Sequence, residues 1–158
     1  YSSAASDVYK RQQSLVFSGA TGLGKTFLSA CVARVVADRG CSVSYAPVGQ
    51  LFAAFEEDKF RPQPDAARTE DVFACDLLII DDLGTEMQSQ FTVSCLYHLV
   101  NTRLISEKSM IISTNIRKEE LLAKYTDRIT SRLFGEFEIC VFAGKDIRSQ
   151  KLKRQSQN

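Results

Sequence analysis

Residues 19–26 read GATGLGKT and match the pattern G-x-x-x-x-G-K-[ST], whose residue types and spacing suit the binding of a nucleoside triphosphate. The glycines let backbone N–H groups surround phosphate oxygens, and the Lys25 side chain can reach the β- and γ-phosphates. The Thr26 hydroxyl can bind Mg²⁺ at a helix start, where anions are favoured. A chance glycine-rich turn is the alternative, but an apolar strand precedes the loop and a helical pattern follows it. The predicted nucleotide-binding residues are Gly19, Ala20, Thr21, Gly22, Leu23, Gly24, Lys25 and Thr26.

Two consecutive carboxylates, Asp81 and Asp82, follow the apolar run 77–80. This arrangement, the Walker B motif, is typical of a central parallel strand that carries acidic side chains to its carboxyl end. Asp81 is predicted to hold Mg²⁺ through water, with Thr26 as a further metal ligand. Asp82 is predicted to orient or deprotonate the attacking water, because phosphoryl transfer depends on metal, positioning and charge neutralisation. Two acids after a strand can also cap a helix or face solvent, but the complete phosphate loop favours the metal role.

Three polar residues further along the chain are candidates for catalysis. Asn115 follows an apolar strand and can hydrogen-bond the γ-phosphate or the attacking water, the role called sensor 1. Arg128 and Arg132 are four residues apart, so a helix places both on one face. Either can act as an arginine finger, which stabilises transition-state charge, commonly in a neighbouring subunit's site. Two solvated arginines on an amphipathic helix are the alternative. The predicted catalytic residues are Lys25, Asp82, Asn115, Arg128 and Arg132.

Strand and helix patterns alternate along the chain in the manner of an open parallel sheet, so the predicted fold class is α/β. Five apolar runs indicate strands at 14–18, 42–46, 77–80, 109–114 and 138–142. Helical spacing is found at 26–39, beyond Pro47 through Phe55, at 91–104, at 119–122 and at 127–134. Prolines within 61–65 break the pattern before the third strand, and this break is predicted to face solvent.

The composition suits a single globular domain. The 158 residues are 44% hydrophobic and 25% charged, enough for one core and not for two. No apolar stretch approaches the roughly 20 residues of a membrane span, and no signal-peptide pattern is visible, so a cytoplasmic location without membrane contact is predicted. The five cysteines form no C-x-x-C pair, which predicts neither a disulfide nor zinc. His98 is the only histidine, so a packing or surface role is expected for it.

Both ends of the chain differ from its middle. Residues 1–12 are mostly small and polar, lack periodicity, and are predicted to be a non-native or disordered leader. The ATP-binding domain is predicted at 13–148 and a basic polar tail at 149–158. From Lys145 onward five basic residues accompany a single acid, and the apolar content is too low for independent folding. Such a tail can contact phosphates or another protein, although most are merely solvated.

Five segments in a fixed order carry a family resemblance: GATGLGKT, LLIIDDLGTE, ISTN, DRITSRLFGEF and FAGKDIR. Together they resemble the AAA+ domain of bacterial helicase loaders of the DnaC/DnaI type, over about residues 13–148, and the related IstB transposition helpers share much of this pattern. The resemblance implies a P-loop NTPase with a five-stranded parallel sheet flanked by helices and no separate lid domain. It also implies that Arg132 is the finger acting on another subunit, that Arg128 is its companion, and that Arg148 contacts nucleotide in place of the missing lid sensor.

The function implied by this resemblance is ATP-dependent loading of a replicative DNA helicase onto single-stranded DNA by a self-oligomer, with ATP and Mg²⁺ as cofactors. Many AAA+ proteins have glutamate where this chain has Asp82, so slow, switch-like and DNA-stimulated hydrolysis is expected. Initiator-type AAA+ proteins insert an extra helix facing DNA at the place of residues 56–74. Here Lys59, Arg61 and Arg68 are outnumbered by acids in that region. Helicase loaders also carry an N-terminal helicase-binding domain, which these residues do not supply.

Three other functions remain open from the sequence. An IstB-like transposition helper shares the motifs and would be marked by a neighbouring transposase gene. A small-molecule P-loop kinase shares the loop but needs an arginine-bearing lid and an acceptor pocket. A nucleotide-gated adaptor without meaningful turnover is the third possibility, and unchanged ATP hydrolysis in an Asp82→Ala variant would support it.

Overall fold

The computed structural model describes residues 14–61, 66–147 and 150. Its strands are β1 (Ser14–Ser18), β2 (Val43–Pro47), β3 (Leu77–Leu83), β4 (Ser109–Thr114) and β5 (Phe137–Val141). Its helices are α1 (Lys25–Asp38), α2 (Val48–Phe60), α3 (Ala66–Ala74), α4 (Gln90–Ile105), α5 (Lys118–Lys124) and α6 (Asp127–Gly135). None of the helices in these ranges combines the length and apolar content that crossing a membrane requires. The predicted leader, residues 62–65 of the proline-containing break, Arg148 and residues 151–158 of the predicted tail lie outside the described residues.

The strands form one parallel sheet in the order β2-β3-β4-β1-β5. β1 lies between the two strands that come last in the chain, so Val16 pairs with Ile112 of β4 and with Ile139 of β5. The carboxyl ends of β1, β3 and β4 therefore meet at one edge of the sheet, which is where open α/β sheets bind ligands. The predicted α/β class with a five-stranded parallel sheet is confirmed.

Apolar side chains cover both faces of this sheet. Leu78, Ile79 and Ile80 of β3 have no exposed surface, and successive side chains of a strand point to opposite faces. Leu78 and Ile80 join the larger apolar cluster, to which α2, α4 and α6 contribute. Ile79 joins the smaller cluster on the other face, where Val36 of α1 packs. The continuous apolar run of β3 is thus that of a parallel strand buried on both sides.

Several element bounds differ from those that the sequence predicts. β3 continues through both carboxylates to Leu83 instead of ending at residue 80, and a register shift between Ile80 and Leu83 accompanies this extension. Apolar periodicity does not reveal such a continuation, because the added residues are acidic. α2 also extends beyond Phe55 to Phe60, whereas most other bounds differ by only one or two residues.

Helix α3 is absent from the elements that periodicity predicts. Its end is held by Arg103 of α4, which has no exposed surface. The Arg103 guanidinium donates to the carbonyl oxygens of Val72 at 2.8 Å, Cys75 at 3.1 Å and Ser109 at 2.7 Å. Carbonyl groups at a helix end have no intrahelical donor, so these bonds satisfy them and join α3 to β4. Arg103 thus fixes the end of α3 through a tertiary contact, which local periodicity does not reveal.

Candidate nucleotide site

The phosphate-loop sequence joins β1 to α1 at the carboxyl edge of the sheet. Gly24 adopts a left-handed conformation with φ +93°, and α1 begins at the next residue. The Lys25 side chain is buried and folds back across the loop, where its ammonium donates to the carbonyl oxygens of Gly19 at 2.5 Å and Ala20 at 2.8 Å. A positive charge is thus held within the curve of the loop, where glycine backbone groups can approach an anion closely.

A cluster of hydroxyl groups surrounds the buried carboxylate of Asp81. Its Oδ2 accepts hydrogen bonds from the Thr26 hydroxyl at 2.9 Å and from the Tyr45 hydroxyl at 2.5 Å, while its Oδ1 accepts one from Ser113. Burial opposes the charged form of this carboxyl, but the hydroxyl donors outweigh burial and hold the pKa of Asp81 below its ordinary value. Asp81 is therefore an ionised oxygen donor next to the hydroxyl of the phosphate loop.

Asp82 points to a different environment from its neighbour. Its backbone has φ 60°, a left-handed conformation that aspartate adopts more readily than most residues. Its N–H donates to the Ser113 hydroxyl at 2.9 Å, and its side chain is exposed and lines the cavity beside the phosphate loop. The register shift in β3 thus accompanies two consecutive carboxylates with separate surroundings, one buried among hydroxyls and one open to the cavity.

The cavity has a volume of about 450 Å³. Asn115, just beyond the end of β4, reaches it and donates from Nδ2 to the Thr21 hydroxyl at 3.4 Å. The phosphate loop, β3 and the residue after β4 therefore contribute side chains to one concave site of the size that binds small ligands. Its lining residues are Thr21, Gly22, Gly24, Lys25, Thr26, Phe27, Asp82, Asn115 and Ile147.

The segment that follows β5 packs across the phosphate loop. The Ile147 N–H donates to the Gly22 carbonyl oxygen at 3.0 Å. A Cβ atom on Gly22 would lie 2.0 Å from Oδ1 of Asp146, and one on Gly19 would lie 2.4 Å from the Phe142 carbonyl oxygen. Glycine is thus required at these two positions because the segment after β5 packs closely on the loop, as well as by the shape of the loop itself. In the sequence this segment stands out only through the family resemblance of FAGKDIR.

Arg128 and Arg132 lie on α6, and neither lines the cavity of its own chain. Arg128 is exposed. The Arg132 guanidinium lies 5.6 Å from the ring centroid of Tyr97 on α4, and its hydrogen bond lowers the pKa of the Tyr97 hydroxyl. Ile129 and Leu133 bury an adjacent side of the helix. The structure therefore brings the predicted residues of the phosphate loop, β3 and β4 together and leaves the two arginines on another surface.

Several residues at or near the site belong to no recognisable sequence motif. Tyr45 and Ser113 contact Asp81, yet each looks like an ordinary strand residue in the sequence. Glu86, Lys124 and Tyr125 form a buried polar cluster beside the loop after β3. Burial and a hydrogen bond to Glu86 raise the pKa of Tyr125. For Glu86 the only sequence signal is its place in the resembling segment LLIIDDLGTE.

The oxygen atoms of Asp81 on β3 and Thr26 on α1 are suitable ligands for a magnesium ion. Asp81 supplies an ionised carboxylate and Thr26 a hydroxyl oxygen, and Mg²⁺ prefers hard oxygen ligands of these kinds. Such a site keeps several waters and binds phosphate oxygens of the nucleotide as well, so two protein groups are sufficient. The arrangement can therefore bind a magnesium–nucleotide complex with a second carboxylate, Asp82, and an amide, Asn115, facing the same cavity.

Comparison with protein families gives one model that covers nearly the whole chain. The model described as IstB-like ATP binding protein matches residues 2–155. Among curated proteins, the replicative helicase loader DnaC of Escherichia coli strain K12 is 29% identical over 122 residues, which are 76% of this chain and 49% of that protein. The chain thus spans about half the length of this relative.

Solved structures share the fold. The crystal structure of the DnaC helicase loader matches with a TM-score of 0.74 and 21% identity, covering 85% of this chain and 80% of that one. The replication initiator DnaA bound to AMPPCP and single-stranded DNA matches with a TM-score of 0.73 and 22% identity, covering 93% of this chain and 47% of that one. At these identities the likeness establishes the shared fold alone, which is the five-stranded parallel α/β core described above.

Proposed function

This chain belongs to the family of IstB-like ATP binding proteins, and we propose that it is the ATP-hydrolysing part of a replication protein that loads the replicative helicase onto single-stranded DNA. The observation that carries the ATPase proposal is the 2.9 Å contact between Thr26 Oγ1 and Asp81 Oδ2. It joins the phosphate loop to the carboxylate at the end of β3, although the two residues are 55 positions apart in the sequence. This contact supports the proposal, because it brings together the two residues that are proposed to hold the magnesium ion of the nucleotide complex.

Residues 19–26 bind the triphosphate in this proposal. Backbone N–H groups of the loop and of the first turn of α1 donate to phosphate oxygens. The Lys25 ammonium exchanges its contacts with the Gly19 and Ala20 carbonyl oxygens for contacts with the β- and γ-phosphates. Because these phosphates carry negative charge, the exchange gives the buried lysine stronger partners than neutral carbonyls.

Asp81 and Thr26 would hold Mg²⁺, which supplies charge neutralisation on the phosphates when bound. Asp82 and Asn115 face the same cavity, and their proposed role is to hold the attacking water and the γ-phosphate in line. An aspartate carboxylate reaches less far than glutamate. We therefore expect slow, switch-like ATP hydrolysis. In this proposal ATP binding assembles the subunits on DNA and hydrolysis releases the helicase, without motor activity.

Arg128 and Arg132 are proposed to complete the site of a neighbouring subunit. Their location on α6, outside the cavity of their own chain, supports this assignment. A guanidinium that enters the adjacent cavity stabilises the charge of the transferring phosphoryl group. Hydrolysis then requires self-assembly, with ATP bound between subunits. Arg148 is proposed as a further nucleotide contact.

The helicase and the DNA are proposed as partners from the relatives. The Escherichia coli relative is a replicative helicase loader, and the DnaA structure of the same fold contains single-stranded DNA. An IstB-like transposition helper is the second candidate, because the matching family model is described as IstB-like ATP binding protein and the sequence motifs resemble those helpers. A transposase gene next to the coding sequence would favour the second candidate over the first.

ATP hydrolysis by the purified protein, with and without single-stranded DNA and at two salt concentrations, tests the proposal. We expect stimulation by DNA that weakens as salt rises. Lys25→Ala and Arg132→Ala should each reduce turnover to background, and mixing the two variants should restore it. Turnover that is indifferent to both DNA and Arg132 would contradict an oligomeric loader.

A further inference from the structure

We infer that Glu86 is a positioning residue for helix α6, the helix that carries the two proposed finger arginines. This inference rests on the proposed finger role of those arginines. Its basis is a polar cluster between the loop after β3 and the junction of α5 with α6. The Glu86 cluster consists of Gly84, Glu86, Lys124 and Tyr125.

The Glu86 side chain makes several polar contacts and is itself buried, whereas 21% of the Lys124 side chain is exposed. Only 4% of the Glu86 side chain is exposed. Its Oε2 accepts a hydrogen bond from the Gly84 N–H at 2.8 Å, and its Oε1 accepts one from the Tyr125 hydroxyl. The Lys124 ammonium lies 3.9 Å from Oε1 and donates to the Glu86 carbonyl oxygen at 3.0 Å. A buried carboxylate is tolerated when it is paired and hydrogen-bonded, so these contacts hold the cluster in one arrangement.

The nucleotide side of the same loop has anchors that do not involve Glu86. The Asp82 N–H donates to the Ser113 hydroxyl at 2.9 Å. The Asp82 carbonyl oxygen accepts from the Thr85 N–H at 3.2 Å and from the Thr85 hydroxyl at 2.8 Å. Asp82 is thus fixed by β4 and by its own turn. Of the Glu86 contacts, the one with Gly84 stays within this loop, whereas those with Lys124 and Tyr125 lead toward α6.

The other side of the cluster leads directly into α6. Lys124 is the last residue of α5, Tyr125 follows it, and α6 begins at Asp127. Ile129 and Leu133 hold α6 against the core by apolar packing, which is non-directional. The hydrogen bonds at the junction are directional and therefore constrain how the helix is placed. A misplacement of about 1 Å can cost a catalytic group about 100-fold in rate, so this constraint matters for a finger.

Glu86→Gln tests the inference with little change in shape. An amide has one acceptor oxygen where the carboxylate has two, so the variant can keep both contacts only by reversing one of them, with the new NH2 donating to the Tyr125 hydroxyl, and it loses the charge near Lys124 in either case. Glu120→Gln is the matched control. Glu120 lies on α5 and forms an exposed ion pair at 3.4 Å with Arg117, the residue that precedes this helix.

The experiment measures ATP hydrolysis in a mixture of two variant subunits, in which only one combination of cavity and finger can be active. An Arg132→Ala subunit keeps an intact phosphate loop, and a Lys25→Ala subunit keeps its arginines. Turnover of the mixture therefore needs the finger of the Lys25→Ala subunit in the cavity of the Arg132→Ala subunit. Glu86→Gln is placed in one subunit type or in the other, and ATP hydrolysis is measured for each mixture.

We expect Glu86→Gln to lower turnover about tenfold or more in the finger-supplying subunit and less than about twofold in the cavity-supplying subunit. Tyr125→Phe, which removes one hydroxyl, should show the same asymmetry, and Glu120→Gln should be silent in both. Equal losses in the two placements, or a loss confined to the cavity-supplying subunit, would overturn the inference. If the parent mixture is active and neither placement matters, the inference alone fails. If the mixture of Arg132→Ala and Lys25→Ala subunits shows no ATP hydrolysis even without a change at Glu86, the assignment of Arg132 as a finger is contradicted as well.

Discussion

The Tyr45 hydroxyl donates to the same oxygen of Asp81 that the Thr26 hydroxyl contacts, at 2.5 Å and 2.9 Å respectively. Tyr45 lies on β2, at the edge of the sheet, and nearly half of its side chain is exposed. Burial and the hydrogen bond to Asp81 raise the pKa of Tyr45 to about 12. The hydroxyl therefore stays protonated at neutral pH and serves only as a donor to the carboxylate. An edge strand thus supports the carboxylate of the proposed metal site.

Tyr45→Phe should lower the free energy of unfolding by about 1 kcal/mol, because a hydrogen bond to a charged group is lost from a partly exposed site. Urea denaturation monitored by circular dichroism measures this change. Asp81→Asn provides the control in a double-mutant cycle, since the cost of Tyr45→Phe should shrink when the charged acceptor is absent. An equal cost in both backgrounds would mean that the tyrosine acts through packing.

Gly22→Ala should destabilise the protein and weaken nucleotide binding. The backbone strain of a side chain at φ +80° costs about 1–2 kcal/mol, and the new Cβ would also collide with the Asp146 carboxylate. Gly40 is the matched control, because it has φ +83° and, apart from its chain neighbours, no atom of the described residues lies within 4 Å of the place that a Cβ would take. Thermal unfolding with and without a non-hydrolysable ATP analogue measures both effects. If Gly22→Ala and Gly40→Ala behave alike, the segment after β5 does not constrain the loop.

Asp82→Asn should lower turnover by about 100-fold or more while leaving ATP binding nearly unchanged, because the proposed role of this carboxylate is in the reaction and not in affinity. Asparagine tolerates the left-handed backbone at φ 60° as aspartate does, so the change isolates the charge. Hydrolysis rate and nucleotide affinity are measured on the same preparation. Unchanged hydrolysis would instead favour a nucleotide-gated adaptor.

Asp76→Asn should flatten the acid dependence of stability. Hydrogen bonds from the Ser42 N–H and hydroxyl, with Lys108 nearby, lower the pKa of Asp76 from 3.8 to about 2. A carboxyl whose pKa is depressed on folding contributes stability that is present above its unfolded pKa and is lost as the pH falls through its folded pKa. The wild type should therefore lose stability relative to Asp76→Asn between about pH 4 and pH 2. Denaturation curves across this window measure the difference, and parallel curves would contradict the prediction.

The sequence predicts those parts of the site whose residues are contiguous in the chain. Residues 19–26 and the pair Asp81 and Asp82 each combine their chemistry within a few positions, and the apolar runs around them indicate strand and helix. The five strands follow from the same runs. Helix α3 does not follow from them, because it is short, begins after the proline-containing break, and has its end fixed by Arg103 of another helix. The extension of β3 is missed for a related reason, since pairing with β4 and not apolarity holds it.

The order of residues by itself therefore determines that this chain has an α/β core with a phosphate loop and a carboxylate strand, because those features are local. Only the tertiary structure decides which hydroxyls surround Asp81, which segment packs on the loop and what holds the entry to α6. Tyr45 and Asp81 are 36 positions apart and meet because β2 pairs with β3 in register. Glu86 and Tyr125 are 39 positions apart and meet because α5 returns to the carboxyl edge of the sheet. Such contacts arise from strand order and helix packing, which place side chains together without leaving a spacing pattern in the sequence.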